Sequence, residues 1–203
     1  LGEFLYKNSM SSSKLAKFRA QNGQVNQPSS TQIDWHDNAV LGIGGGKDSI
    51  VAGELLKQAG IPVTGFVLAT GEILGQTKAV SDVMGIELSA IKRTIDRQII
   101  EINKIEGAYN GHIPISLIFG LVGALVAVSS QSKYVVVANE ASASIPQASW
   151  EGNNVNHQWS KSLEFERLFQ QYLQTYVSTE IHYFSAIRPL SSIAIAKIFS
   201  QYP

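Results

Sequence analysis

Six consecutive residues carry the clearest chemistry in this sequence: Gly44-Gly45-Gly46-Lys47-Asp48-Ser49. Consecutive glycines let a backbone turn sharply and bring its amides close to a ligand with no Cβ in the way. Where such a turn opens a helix, the first helical amides are unpaired too, and the two sets form a cradle for an anion. Lys47 adds a positive charge. Asp48 sets a carboxylate beside the cradle, where it would repel a phosphate unless Mg2+ lay between them, so Asp48 is the candidate metal ligand. The plain alternative is a structural glycine turn, with Asp48 an ordinary acidic residue in a first helical turn.

Two familiar nucleotide patterns fail on this stretch. A Walker A loop needs a glycine, four intervening residues and then Gly-Lys-Ser/Thr, but Leu41 stands at the place of the first glycine and Asp48 follows Lys47. A G-x-G-x-x-G fingerprint starting at Gly42 needs glycine at position 47, where lysine stands.

Other polar positions fall where apolar runs end. Ala69 and Thr70 close an apolar run, and Asn139 and Glu140 follow another directly. Glu140 is a candidate metal ligand, base or helix cap. His112 sits in Gly111-His112-Ile113-Pro114 at the start of a long apolar stretch, as a candidate phosphate or substrate contact or as a packing residue. Trp150, Asn156, His157 and Lys161 make a candidate substrate-binding set, against the reading of a solvated loop capped at Ser162. Glu164 and Glu166 read as an exposed helix face.

The elements that must position these residues alternate. Apolar runs at 39–43, 63–69, 86–91, 134–138 and 181–184 predict strands; helical spacing over 48–59, 77–84, 96–105, 114–128, 163–177 and 192–201 predicts helices. Strands alternating with helices imply an α/β fold, a doubly wound and mostly parallel sheet of about five strands. Ligands of such sheets bind outside the carboxyl ends of the strands, so residues just after a strand are the informative ones.

Composition narrows the classes. Lysine plus arginine equal aspartate plus glutamate at 16 each, so nothing calls for a nucleic acid or an anionic membrane as partner. The chain has no cysteine, which removes disulfides, zinc–thiolate sites and a cysteine nucleophile within its 203 residues. The uncharged run 113–128 is shorter than the ~20 residues of a spanning helix and reads as a buried globular helix. The chain starts at Leu1 without methionine and ends at Tyr202-Pro203, which reads as a portion of a longer protein.

The glycine-rich loop resembles the S-G-G-x-D-S loop of the PP-loop ATP pyrophosphatases. Gly45, Gly46, Asp48 and Ser49 match, and Gly44 stands where serine is usual. The resemblance implies a fold like the HUP or adenine-nucleotide α-hydrolases. It also implies ATP with Mg2+, cleavage between the α- and β-phosphates, and nucleotide contacts from residues 44–49, Ala69, Thr70 and Asn139. Across 41–190 the chain is similar to one branch, the UDP-N-acetylmuramoyl-L-alanyl-L-glutamate epimerase (MurL) family. The segments that carry this are GIGGGKDS, GHIP, VVVANEASAS, VNHQWSKSLEFE and IRPL.

That branch implies a cytoplasmic enzyme that adenylates a carboxylate and epimerises the terminal L-glutamate of a UDP-linked muropeptide precursor. Lys47, Asp48, His112, Glu140, His157 and Lys161 would supply the catalytic groups. Members of the family are longer at both ends. Residues 1–37 would then be an arm or a remnant of a flanking region, and 38–203 the central ATP-binding domain. Two alternatives stay open. One is another chemistry on the same loop, either an amide-forming ligase or a tRNA-modifying enzyme, although thiolation usually needs cysteines. The other is a nucleotide-binding domain without catalysis.

Overall fold

The apolar run at residues 39–43 lies at the centre of a sheet covered on both faces, which is why Ala39, Val40, Leu41 and Ile43 are all buried instead of alternating. The computed structural model describes residues 1–17, 32–72, 75–109, 111 and 113–202. Its strands are β1 (His36–Gly42), β2 (Val63–Ala69), β3 (Leu88–Lys92), β4 (Ser132–Val137), β5 (Ala148–Trp150), β6 (Asn153–Val155) and β7 (His182–Ser185). Five of them form one parallel sheet in the order β3-β2-β1-β4-β7, with Val40 paired to Thr64 on one side and Val135 on the other. The order reverses between β1 and β4, so the crevice between their carboxyl ends is where a ligand belongs.

The helices are α1 (Gly2–Lys7), α2 (Lys47–Gln58), α3 (Gly75–Met84), α4 (Arg97–Glu101), α5 (Ile115–Ser129), α6 (Leu163–Tyr176) and α7 (Ser192–Phe199). On one face α2 and α7 pack Val51, Leu56 and Ile195 against Leu41 and Val136. On the other, α5 and α6 pack Ala124, Ala127, Phe165 and Phe169 against Val40, Val135 and Tyr183. Small residues let α5 lie close to the sheet: a Cβ at Gly123 would stand 2.8 Å from Val135 and 2.9 Å from Phe66. The apolar stretch is thus a covering helix of the sheet. No helix among the described residues is long and apolar enough to cross a membrane.

Helix starts follow the side chains that cap them. Ser162 accepts from the Phe165 amide, Ser191 from that of Ala194 and Asp96 from that of Gln98. The N-terminal residues pack on the antiparallel β5–β6 hairpin. The Trp150 indole N–H donates to the Met10 carbonyl at 3.0 Å, and the Ser12 amide and hydroxyl both donate to the Glu151 carboxylate. Residues 18–31 lie outside the described residues.

Candidate functional site

The glycine-rich loop leaves β1 at the switch in strand order and enters α2 with Gly46 as its N-cap. Its three glycines do different things. Gly45 has φ +80°, a backbone state that glycine adopts without strain, and its carbonyl accepts from Gln76 of α3 at 2.8 Å. A Cβ there would stand 3.2 Å from the Thr77 hydroxyl. Gly44 and Gly46 are under no such demand: an ideal Cβ on either meets nothing within 4 Å. Both instead line a cavity of about 390 Å³ between the loop, the start of α5, the end of β4 and Tyr183 of β7. The amides of Gly44, Gly45 and Gly46 donate to no described residue.

Several sequence-predicted residues meet in this cavity: Gly44, Gly46, Asp48, Ser49, Asn139 and Lys161. Asp48 is paired with Lys47 at 2.6 Å, each side chain about two-fifths exposed, and the Ser49 hydroxyl donates to the Gly46 carbonyl at 2.9 Å. Asn139 is fixed through its backbone, because the Ser185 hydroxyl accepts from its N–H and donates to its carbonyl. The Lys161 ammonium has no hydrogen-bond or ion-pair partner among the described residues. Among the described residues it is the free cation lining the cavity.

The remaining candidates lie elsewhere. Both oxygens of Glu140 are taken, one by the Ser142 hydroxyl at 2.6 Å and one by that of Ser192 at 2.5 Å, so the side chain ties the β4 exit to the start of α7. These hydroxyls, with a smaller contribution from the Lys47 charge, hold its pKa below the usual glutamate value. Ala69 and Thr70 end β2, on the other side of β1 from Asn139 and outside the cavity; the Ala69 carbonyl accepts from the Arg93 amide. His157 lines a second cavity of about 540 Å³ with Asn156 and Trp159, its Nδ1 2.9 Å from the Gln147 amide oxygen. Trp150 is spent on the N-terminal segment, so the expected set of Trp150, Asn156, His157 and Lys161 is divided. His112 lies outside the described residues.

One expectation fails outright. Glu166 is buried instead of lying on an exposed helix face, because Arg188 pairs with it at 2.7 Å. Arg188 also donates to the carbonyl of Glu140 at 3.1 Å and to that of Lys161 at 2.8 Å. It thereby joins α6, the β4 exit and the short turn that carries Lys161.

The profile of the MurL N-terminal domain family matches residues 1–186. The chain belongs to this family. Its relatives include a UDP-N-acetyl-alpha-D-muramoyl-L-alanyl-L-glutamate epimerase from Xanthomonas oryzae pv. oryzae, 33% identical over 99% of this chain and 43% of that protein. A protein of the same name from a Micromonospora species is 38% identical over 82% of this chain and 37% of its own length. This chain therefore spans less than half the length of the curated MurL relatives it matches.

Two solved structures share the fold. The U34-tRNA thiolase NcsA from Methanococcus maripaludis superposes with a TM-score of 0.54 at 13% identity, over 84% of this chain and 59% of its own. A predicted tRNA methyltransferase subunit from Methanocaldococcus jannaschii superposes at 0.51 and 17%, over 80% and 75%.

The MurL-like motifs thus land on the cavity in part. GIGGGKDS and the Ala138-Asn139 of VVVANEASAS border it directly, and IRPL contributes through Arg188. Sequence reasoning gave Arg188 no role of its own, although IRPL was its signal. It missed Tyr183 as well, which lines the cavity from β7.

Proposed function

We propose that this domain binds ATP with its phosphates over residues 44–46 and activates the terminal glutamate of UDP-N-acetylmuramoyl-L-alanyl-L-glutamate by adenylation, as the first step of epimerisation. The observation that carries the reading is the pair Gly44 and Gly46. No described residue requires glycine at either place, and both line the cavity proposed to take the phosphates. Family membership supplies the acid, from the name its relatives bear.

A carboxylate oxygen attacks the α-phosphorus, an acyl adenylate forms and pyrophosphate leaves. Charge gathers on the β-phosphate as the α–β bond breaks, and the free amides of 44–46 with the positive end of the α2 dipole face that charge. Lys161 holds oxygens of the α-phosphate or of the carboxylate. No group of three or more acidic or imidazole side chains among the described residues could hold a metal, so Mg2+ would be bound by Asp48 together with phosphate oxygens. When bound it neutralises phosphate charge. Adenylation removes the carboxylate charge, so the α-proton can leave without forming a doubly charged enolate. A base takes the proton, an acid returns one to the opposite face, and water releases the D-glutamyl product and AMP. The second cavity, which shares the first turn of α5 with the ATP cavity, takes the peptide end of the substrate, and His157 is the proposed proton-transfer residue there. Glu140 keeps its serine partners and holds the loop.

The test is incubation of the full-length protein with ATP, Mg2+ and the UDP-linked dipeptide, followed by chiral analysis of the glutamate. D-Glutamate appearing with no amine consumed is expected. Product formed only when an amine is added would show a ligase and sink the epimerisation. Absence of AMP would sink the adenylation.

A further inference from the structure

Tyr183 is held firmly at every point except its hydroxyl. It lies on β7 opposite Val135 of β4, its amide bonded by the Gln170 side chain and its ring packed edge-on against Phe169 at 4.7 Å between centroids. Gly120 of α5 leaves the ring its room, since a Cβ there would already touch it at 3.4 Å. The residue is only 3% exposed, yet the hydroxyl has no hydrogen-bond partner among the described residues. An unpaired buried hydroxyl is destabilising, and phenylalanine would fill the same space without that penalty.

The same ring lines the glycine-loop cavity, together with donors that have no partner among the described residues: the amides of Gly44 and Gly46 and the Lys161 ammonium. Asp48 is the acidic group among the described lining residues, and Lys47 pairs with it. Burial, and after it the nearby Glu166 charge, push the Tyr183 phenol well above its ordinary pKa, so it stays a neutral donor. Glu166 itself is committed to Arg188.

We propose that the Tyr183 hydroxyl is a ligand-binding donor of this cavity, hydrogen-bonding an anionic oxygen of the group held over residues 44–46. That oxygen belongs to a phosphate of the nucleotide or to the carboxylate being activated. This inference rests on the reading of the cavity as the adenylation site.

The test is Tyr183→Phe in the full-length protein, with Tyr176→Phe on the exposed side of α6 as the control. Three quantities are measured: the melting temperature without ligand, the Kd for ATP with Mg2+, and kcat and KM for the UDP-linked dipeptide. The melting temperature of Tyr183→Phe should equal or exceed that of the wild type. If the oxygen is a phosphate's, the ATP Kd should rise roughly 10- to 100-fold, the loss of a hydrogen bond to a charged group. If it is the carboxylate's, ATP affinity should hold and kcat/KM for the dipeptide should fall by the same factor. Unchanged binding and turnover would overturn the proposal, as would a melting temperature several degrees below wild type, which would mean the hydroxyl serves the fold. Wild-type protein that binds no ATP would overturn the reading of the cavity as well. Equal ATP affinity and turnover in the wild type and Tyr183→Phe would overturn the Tyr183 assignment alone.

Discussion

The two adjacent glycines at positions 45 and 46 should respond in opposite ways to the same substitution. Gly45→Ala puts a side chain at φ +80°, with its Cβ 3.2 Å from the Thr77 hydroxyl. The left-handed backbone costs about 1–2 kcal/mol for an L-residue, and the tight contact adds to that. At ~2–4 °C per kcal/mol for a domain of this size, the backbone strain alone should lower the melting temperature by roughly 2–8 °C. Gly46→Ala sits at φ −104° and ψ 168°, an extended conformation open to any residue, with no atom within 4 Å of the new Cβ. Alanine gains about 0.4–1 kcal/mol from a stiffer unfolded chain and loses a similar amount as a poorer N-cap than glycine. Its stability should therefore stay within about 1 kcal/mol of wild type. Its ATP affinity should not: the methyl group holds phosphate away from the loop amides. Losing two charge-assisted hydrogen bonds at ~1.5–3 kcal/mol each is about a 100-fold weakening or more. Thermal melts and calorimetric titration with ATP read both effects. The reasoning is refuted if Gly46→Ala melts as low as Gly45→Ala, or binds ATP like the wild type.

Lys161→Met removes a cation that no described residue pairs with, so the fold should be untouched while ATP or dipeptide binding weakens by about 10-fold or more; unchanged affinities for both would count against its place in the site. Arg188→Met leaves the Glu166 carboxylate without its partner in a mostly buried setting. It should cost about 3 kcal/mol in urea unfolding, and a loss below about 1 kcal/mol would show that the Arg188 hub is not structural. Glu140 has a folded-state pKa below its ordinary 4.5. As the pH falls, the unfolded chain takes up that proton first, so the stability Glu140 contributes is full above about pH 4.5 and drains away as the pH drops through the folded value. The stability gap between wild type and Glu140→Gln should accordingly narrow below that pH, whereas a gap constant from about pH 7 to pH 3 would contradict the serine contacts.

Local chemistry was legible and long-range chemistry was not. The glycine-rich loop announces itself because every residue that shapes it is contiguous, and the strand at 63–69 was placed to the residue by its apolar run and flanking turns. Lys161 was legible as a candidate but not as a partner of the loop, since 115 or more residues separate it from positions 44–46. The β5–β6 hairpin escaped notice because its turn, Glu151-Gly152, carries both residues at positive φ without the usual asparagine or aspartate ahead of the glycine. Glu166 was misplaced for a different reason. A glutamate in a first helical turn is usually solvated, and only the fold brings Arg188 to it from 22 residues away. Tyr183 looked like any aromatic in a strand; its significance is an unpaired hydroxyl, which no sequence pattern encodes.

The central claim is that this site breaks ATP between its α- and β-phosphates. Full-length protein incubated with α-labelled ATP, Mg2+ and the UDP-linked dipeptide tests it directly when the labelled products are separated. The account predicts label in AMP and an equal amount of pyrophosphate, both abolished in Gly46→Ala. Label in ADP with release of orthophosphate would contradict it.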